Sequence, residues 1–182
     1  MDNSNRVGDG EDIKGPSPRI ESATAKGAEA DIEIEIEDQA EALTFSIVVD
    51  ERFEDAVRTR AGVTGEMHLF EHGHDEPLPQ PPHGRKAVRL IGHRCRVVTV
   101  EVRYEHRTIE HRFSPAATVF KALQWAVGKK GFDLDPVTAA KANLILPGAD
   151  APLPRDAAVG KFVKTGHCTL VVDLTLKDFT NG

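Results

Sequence analysis

The sequence predicts an α+β protein of two tandem ββαβ units behind an acidic N-terminal tail. Three observations carry this. Apolar and polar residues alternate with period 2 in paired segments, 32–37 with 43–49 and 97–104 with 108–113. Each pair is followed by an apolar stripe of helical period. Charge is segregated: residues 1–41 hold 12 acidic and 4 basic residues, and the rest hold 17 acidic and 19 basic.

Residues 1–30 are rich in Gly, Ser, Asp, Glu and Ala, with isolated apolar residues. Such a segment cannot bury enough surface to offset chain entropy, so a disordered acidic tail is expected. In the first unit, 31–94, Ile32, Ile34 and Ile36 share one strand face and Glu33, Glu35 and Glu37 the other. A turn at 38–42 leads to a partner strand with Leu43, Phe45, Ile47 and Val49 inward. Asp50 is placed to cap the next helix, with Glu51, Glu54 and Asp55 near its positive dipole end. Phe53, Ala56, Val57 and Ala61 form its stripe, and Gly62 stops it. Strands follow at 66–71 and 86–91, across a Pro/Gly/His loop at 72–84.

The second unit, 96–176, repeats the plan. Val98, Val100 and Val102 mark its opening strand, which belongs here because the hairpin leading to Ser114 requires it. Ser114 reads as an N-cap with Pro115 at the first helical position. Ala116, Val119, Phe120, Leu123 and Val127 then line one helix face, and Gly128 and Gly131 end the helix. The crossing at 132–141 has room for a turn of helix. A short strand at 143–146, a helical turn within 156–164 and a final strand at 169–176 complete the unit.

Composition excludes several classes. No stretch approaches the roughly 18 apolar residues of a membrane-spanning helix. The N-terminus lacks the apolar segment of a secretory signal. Basic residues are not concentrated with aromatics, which disfavours nucleic-acid binding. Cys95 and Cys168 lie far apart without a CxxC pattern and read as ordinary buried thiols. A cytoplasmic, non-membrane setting is expected.

Individual residues invite sharper readings. His72 and His74, with Asp75 and Glu76, form the best histidine cluster, but their spacing is not that of a closed metal site, so no metal is expected. His167 and Cys168 would diverge as strand neighbours, so no catalytic dyad is expected. Trp125 falls some 160° from the stripe around Leu123. It is either covered by 132–141 or the first unit, or an exposed anchor for a partner.

The chain ends Lys177, Asp178, Phe179, Thr180, Asn181, Gly182. Glycine has no Cβ, so its backbone can enter a narrow channel and its carboxylate is unhindered. Six residues at about 3.3 Å each reach roughly 20 Å. A carboxylate is a poor electrophile, so such a terminus would first be converted to a mixed anhydride by ATP. The sequence thus points to a C-terminus that is itself the reactive group.

Strand pair, helix, strand and closing strand is the order of the β-grasp fold, and the second half resembles ubiquitin. Leu144-Ile145-Leu146-Pro147-Gly148 resembles the family's strand and glycine turn after the helix. The segment 156–166 resembles its late helical turn, and Thr169-Leu170-Val171-Val172-Asp173-Leu174 its closing strand. The first half matches more loosely. Two such units resemble the tandem ubiquitin-like modifiers of bacterial antiphage conjugation operons. That resemblance implies a non-enzymatic, cofactor-free modifier. Its partners would be an E1-like activating enzyme, an E2-like conjugating enzyme, a metalloprotease deconjugase and a target protein. Gly182 would pass through acyl adenylate and thioester to an amine. The Asn181-Gly182 ending departs from a double glycine and implies dedicated enzymes. Two alternatives stand beside it: a sulfur carrier with a terminal thiocarboxylate, and a non-conjugated β-grasp adaptor.

Overall fold

A computed structural model describes residues 27–63, 65–78 and 80–177. The alternating isoleucines form β1 (Glu29–Ile36), which pairs antiparallel with β2 (Leu43–Val48). Helix α1 (Phe53–Arg60) follows, then β3 (His68–Glu71) and β4 (Ala87–His93). The second unit holds β5 (Val98–Tyr104), β6 (Arg107–Phe113), α2 (Val119–Val127), α3 (Pro136–Lys141), β7 (Asn143–Ile145), a 3₁₀ turn (Val159–Phe162) and β8 (Thr169–Thr175).

The sheets are ordered β2-β1-β4-β3 and β6-β5-β8-β7, the same topology twice. In each, the first and last long strands run parallel at the centre. The protein is therefore two tandem β-grasp-like units. Each buries its own core. Ile32, Ile34, Val57, Val88 and Leu90 fill the first. Val98, Val100, Val102, Val119, Leu123 and Val172 fill the second.

Several local expectations are corrected. The first strand begins at Glu29, inside the predicted tail, because Ala30 continues the isoleucine row into the core and pairs with Ile47. Residues 1–26 lie outside the described residues. Asp50 does not cap α1. Its carboxylate accepts from the Arg52 N–H one turn earlier, and Arg52 occupies the cap position without a side-chain bond. Ser114 does not cap α2. The cap is Thr118, whose hydroxyl accepts from the Lys121 N–H at 3.2 Å. Ser114 instead accepts from the Ala116 N–H at 3.1 Å and closes a turn. The buried row of α2 is consequently Val119, Ala122, Leu123 and Ala126, while Phe120 is 43% exposed. The two cysteines are not free thiols: Cys95 and Cys168 form a disulfide.

The units meet through a face that a lone sheet would show to solvent. Phe70 and Ile91, paired across β3 and β4, point away from the first unit's core. They pack on Ala116 and Ala158 of the second unit, and all four are buried. Alanines there let the backbones approach, and the Gly73 N–H donates to the Ala116 carbonyl at 2.8 Å. At the rim, Lys121 pairs with Asp75 and Lys161 with Glu35. Among the described residues no helix is long and apolar enough to cross a membrane.

Candidate functional site

The geometry around the C-terminal exit follows from strand direction. β5 begins just after the linker, and β8 runs parallel to it in register Thr99↔Thr169 to Arg103↔Asp173. The residues that touch the first unit or the linker are Ala116, Lys121, Ala158, Lys161, Lys164, Thr165 and His167, in segments that follow the end of β6 or precede β8, beside the start of β5. The chain therefore leaves β8 at the opposite end. Six steps of about 3.3 Å put Thr175 roughly 20 Å from the start of that strand. The Lys177 N–H donates to the Thr175 hydroxyl at 3.1 Å. The remaining tail residues, Asp178, Phe179, Thr180, Asn181 and Gly182, lie outside the described residues.

The exit end is built from the β5–β6 turn and the loop after α2. Tyr104 meets Phe132 edge-to-face at 5.4 Å, and the Arg107 guanidinium lies over the Phe132 ring at 5.3 Å. Beyond them, Asp135 caps α3, accepting from the Val137 and Thr138 N–H groups at 3.0 and 3.1 Å. The Thr138 hydroxyl and backbone bonds hold its carboxyl below the usual range.

Trp125 does not face away from its own sheet. Its ring stacks on His111 at 5.1 Å and meets Phe113 edge-on at 5.9 Å, both on β6, so the residue is half-buried. The ring contacts come from β6, at the edge of its own sheet. His74 lies 3.7 Å from Glu71, while Asp75 is engaged by Lys121. Among the described residues no three His, Cys, Asp or Glu side chains converge as a metal set. Cys168 is bonded to Cys95 rather than held as a thiol beside His167.

Sequence reasoning missed the junction. Glu37, at the end of β1, accepts from the Arg94 N–H at 2.9 Å and pairs with its guanidinium. That guanidinium reaches on to the carbonyls of Lys164 and His167 at 3.4 and 3.2 Å. The Thr165 hydroxyl donates to Asp38. Beneath them His93 is 1% exposed, and its Nδ1 accepts from the Cys95 N–H at 2.9 Å. That bond assigns a neutral imidazole with its proton on Nε2. Burial pushes His93 below the ordinary histidine range. The Glu37 carboxylate, 3.6 Å away, opposes the shift, while Arg94 adds to it. Consecutive apolar pairs, Leu69-Phe70 and Leu90-Ile91, were the available signal, since each puts one residue on either face of a strand.

Residues 99–177 match the family model described as BilA ubiquitin-like domain 2. No curated protein matches the chain significantly.

Proposed function

With a second unit that is a ubiquitin-like domain of the BilA kind, we propose that the protein is a conjugated modifier of bacterial antiphage defence, acting through the carboxylate of Gly182. The observation that carries this reading is the direction of β8. A ubiquitin-like unit closes on a central strand that delivers the chain away from the first unit. A tail leaving there can enter an active site while both folded units stay outside it.

In this reading an E1-like enzyme adenylates the Gly182 carboxylate with ATP and releases pyrophosphate. A thiolate then displaces AMP to give a thioester, an E2-like enzyme carries the acyl group, and a target amine displaces the thiol. A metalloprotease reverses the final bond. The protein supplies no catalytic group and needs no cofactor. Its part is to deliver the chain from the end of β8, away from the first unit. Chemistry that consumes ATP in this way fits a cytoplasmic setting.

The test is mass spectrometry of tryptic digests from cells expressing the protein with candidate conjugating enzymes. Trypsin cuts after Lys177, so a modified lysine carries Asp178-Phe179-Thr180-Asn181-Gly182 as a branch. The branch should vanish on deletion of Gly182. A C-terminal thiocarboxylate without branches supports the sulfur carrier instead. An unmodified carboxylate in the presence of active enzymes supports the adaptor.

A further inference from the structure

Each unit has a core of its own, and the disulfide ties Cys95, which belongs to the second core, to Cys168, which does not. What it joins is informative. Cys95 lies in the linker between β4 and β5, and Cys168 ends the loop that precedes β8. That same loop supplies Lys164, Thr165 and His167, which reach Arg94 and Asp38. The bridge thus pins the linker to the loop through which the second unit grips the β1–β2 turn of the first.

The two sulfurs are unequal. Cys95 is 3% exposed and part of the second unit's core, whereas Cys168 is an exposed residue. A thiolate arriving from solvent meets the exposed Cys168 before the buried Cys95. The buried leaving group has a prepared place: Cys95 Sγ lies 3.3 Å from the His167 carbonyl, which can accept an S–H once the bond is broken. Exposed disulfides have the higher reduction potentials and are the labile, regulatory ones.

We propose that Cys95–Cys168 is a thiol–disulfide exchange site, with dithiols as reductant, that sets how firmly the linker holds the two units together. The attacking thiolate bonds to the Cys168 sulfur. The Cys95–Cys168 bond breaks, and Cys95 leaves with the electron pair and takes a proton. The second thiol of the dithiol then attacks the mixed disulfide, frees Cys168 and closes its own ring. Two electrons and two protons pass to the protein. The apolar contact at Phe70, Ile91, Ala116 and Ala158 survives reduction, so the units loosen without separating.

The experiment uses the full chain. Reduced glutathione, a monothiol, should leave a mass adduct on Cys168 and none on Cys95. Dithiothreitol should then give two alkylatable thiols with an unchanged far-ultraviolet circular dichroism spectrum. Amide exchange at Cys95, Thr99 and His167, which bond within the pinned region, should quicken at least tenfold. The Cys95→Ser/Cys168→Ser double variant should match the reduced protein and ignore dithiothreitol. An adduct on Cys95, resistance to dithiothreitol while folded, or unchanged exchange after reduction would each overturn the proposal. Chemical reduction of the natural protein decides the matter even if the double variant fails to fold.

Discussion

Gly160 is closely packed at the junction. It sits in the 3₁₀ turn Val159–Phe162, and its N–H donates to the Pro115 carbonyl at 2.8 Å. A methyl carbon added there would stand 2.9 Å from each of three atoms: His93 Cδ2, Pro115 Cβ and the Pro115 carbonyl oxygen. Comfortable carbon contacts are about 3.5–4.0 Å. None of the three atoms ends a flexible chain. The Gly160 backbone is not in the left-handed region, so the penalty is steric rather than conformational. Overpacking of this kind costs about 1–3 kcal/mol. For a chain of this size each kcal/mol moves the midpoint by about 2–4 °C, so Gly160→Ala should lower Tm by about 2–12 °C. Gly92→Ala is the internal control. Its added carbon would meet Met67 Sδ at 2.6 Å, a closer approach but to the movable part of a methionine side chain. Thermal unfolding of both variants by circular dichroism should place Gly160→Ala below Gly92→Ala. A Gly160→Ala protein as stable as the natural one, or more stable than Gly92→Ala, would refute the steric account.

Stability should fall as pH drops below about 6.5, because the unfolded chain then protonates His93 while the native state, with its lowered pKa, does not. The loss continues down to the native pKa, at no more than about 1.4 kcal/mol per pH unit. Glu37, Arg94, Asp38 and Lys161 surround this junction, so urea midpoints should be compared with His93→Asn, whose side-chain oxygen can accept from the Cys95 N–H and whose profile should be flatter. Asp135→Ala should speed amide exchange at Val137 and Thr138 and leave both sheets protected. In the natural protein the same protection should fade as pH falls below 3.8 through the depressed pKa of Asp135. Trp125 is the sole tryptophan, so fluorescence reads one site. His111→Ala should red-shift its emission and cost about 0.5–1.5 kcal/mol, and an unshifted spectrum would refute the stacking role.

The strands were legible because burial on one face leaves a period-2 trace. Ile32, Ile34 and Ile36 in β1 and Val98, Val100 and Val102 in β5 are core rows on both readings. The helix start of the second unit was misread for a reason the chain cannot show locally. Ser114 and Pro115 are ideal helix openers. Here that turn is taken up by the junction, where Ala116 packs on Phe70 and Ile91. Shifting the start to Thr118 rotates the buried row and turns Phe120 outward. The disulfide was hidden by its separation of 73 residues. It becomes intelligible once β5 and β8 are known to run parallel, since Cys95 and Cys168 stand just ahead of strands whose first partners are Thr99 and Thr169.

The parallel central strands also decide how the molecule bears load. Pull the chain from both ends and tension enters the second unit at the start of β5 and leaves at the end of β8. With the cysteines reduced, every hydrogen bond of that strand pair is sheared at once, the arrangement hardest to unzip. With the bridge closed, force passes from Cys95 straight to Cys168 and out along β8, so residues 96–167 drop out of the load path. A machine that unfolds proteins by traction would then draw a knotted-off loop rather than a thread. The oxidation state of one bond would decide whether the second unit can be pulled through a narrow pore.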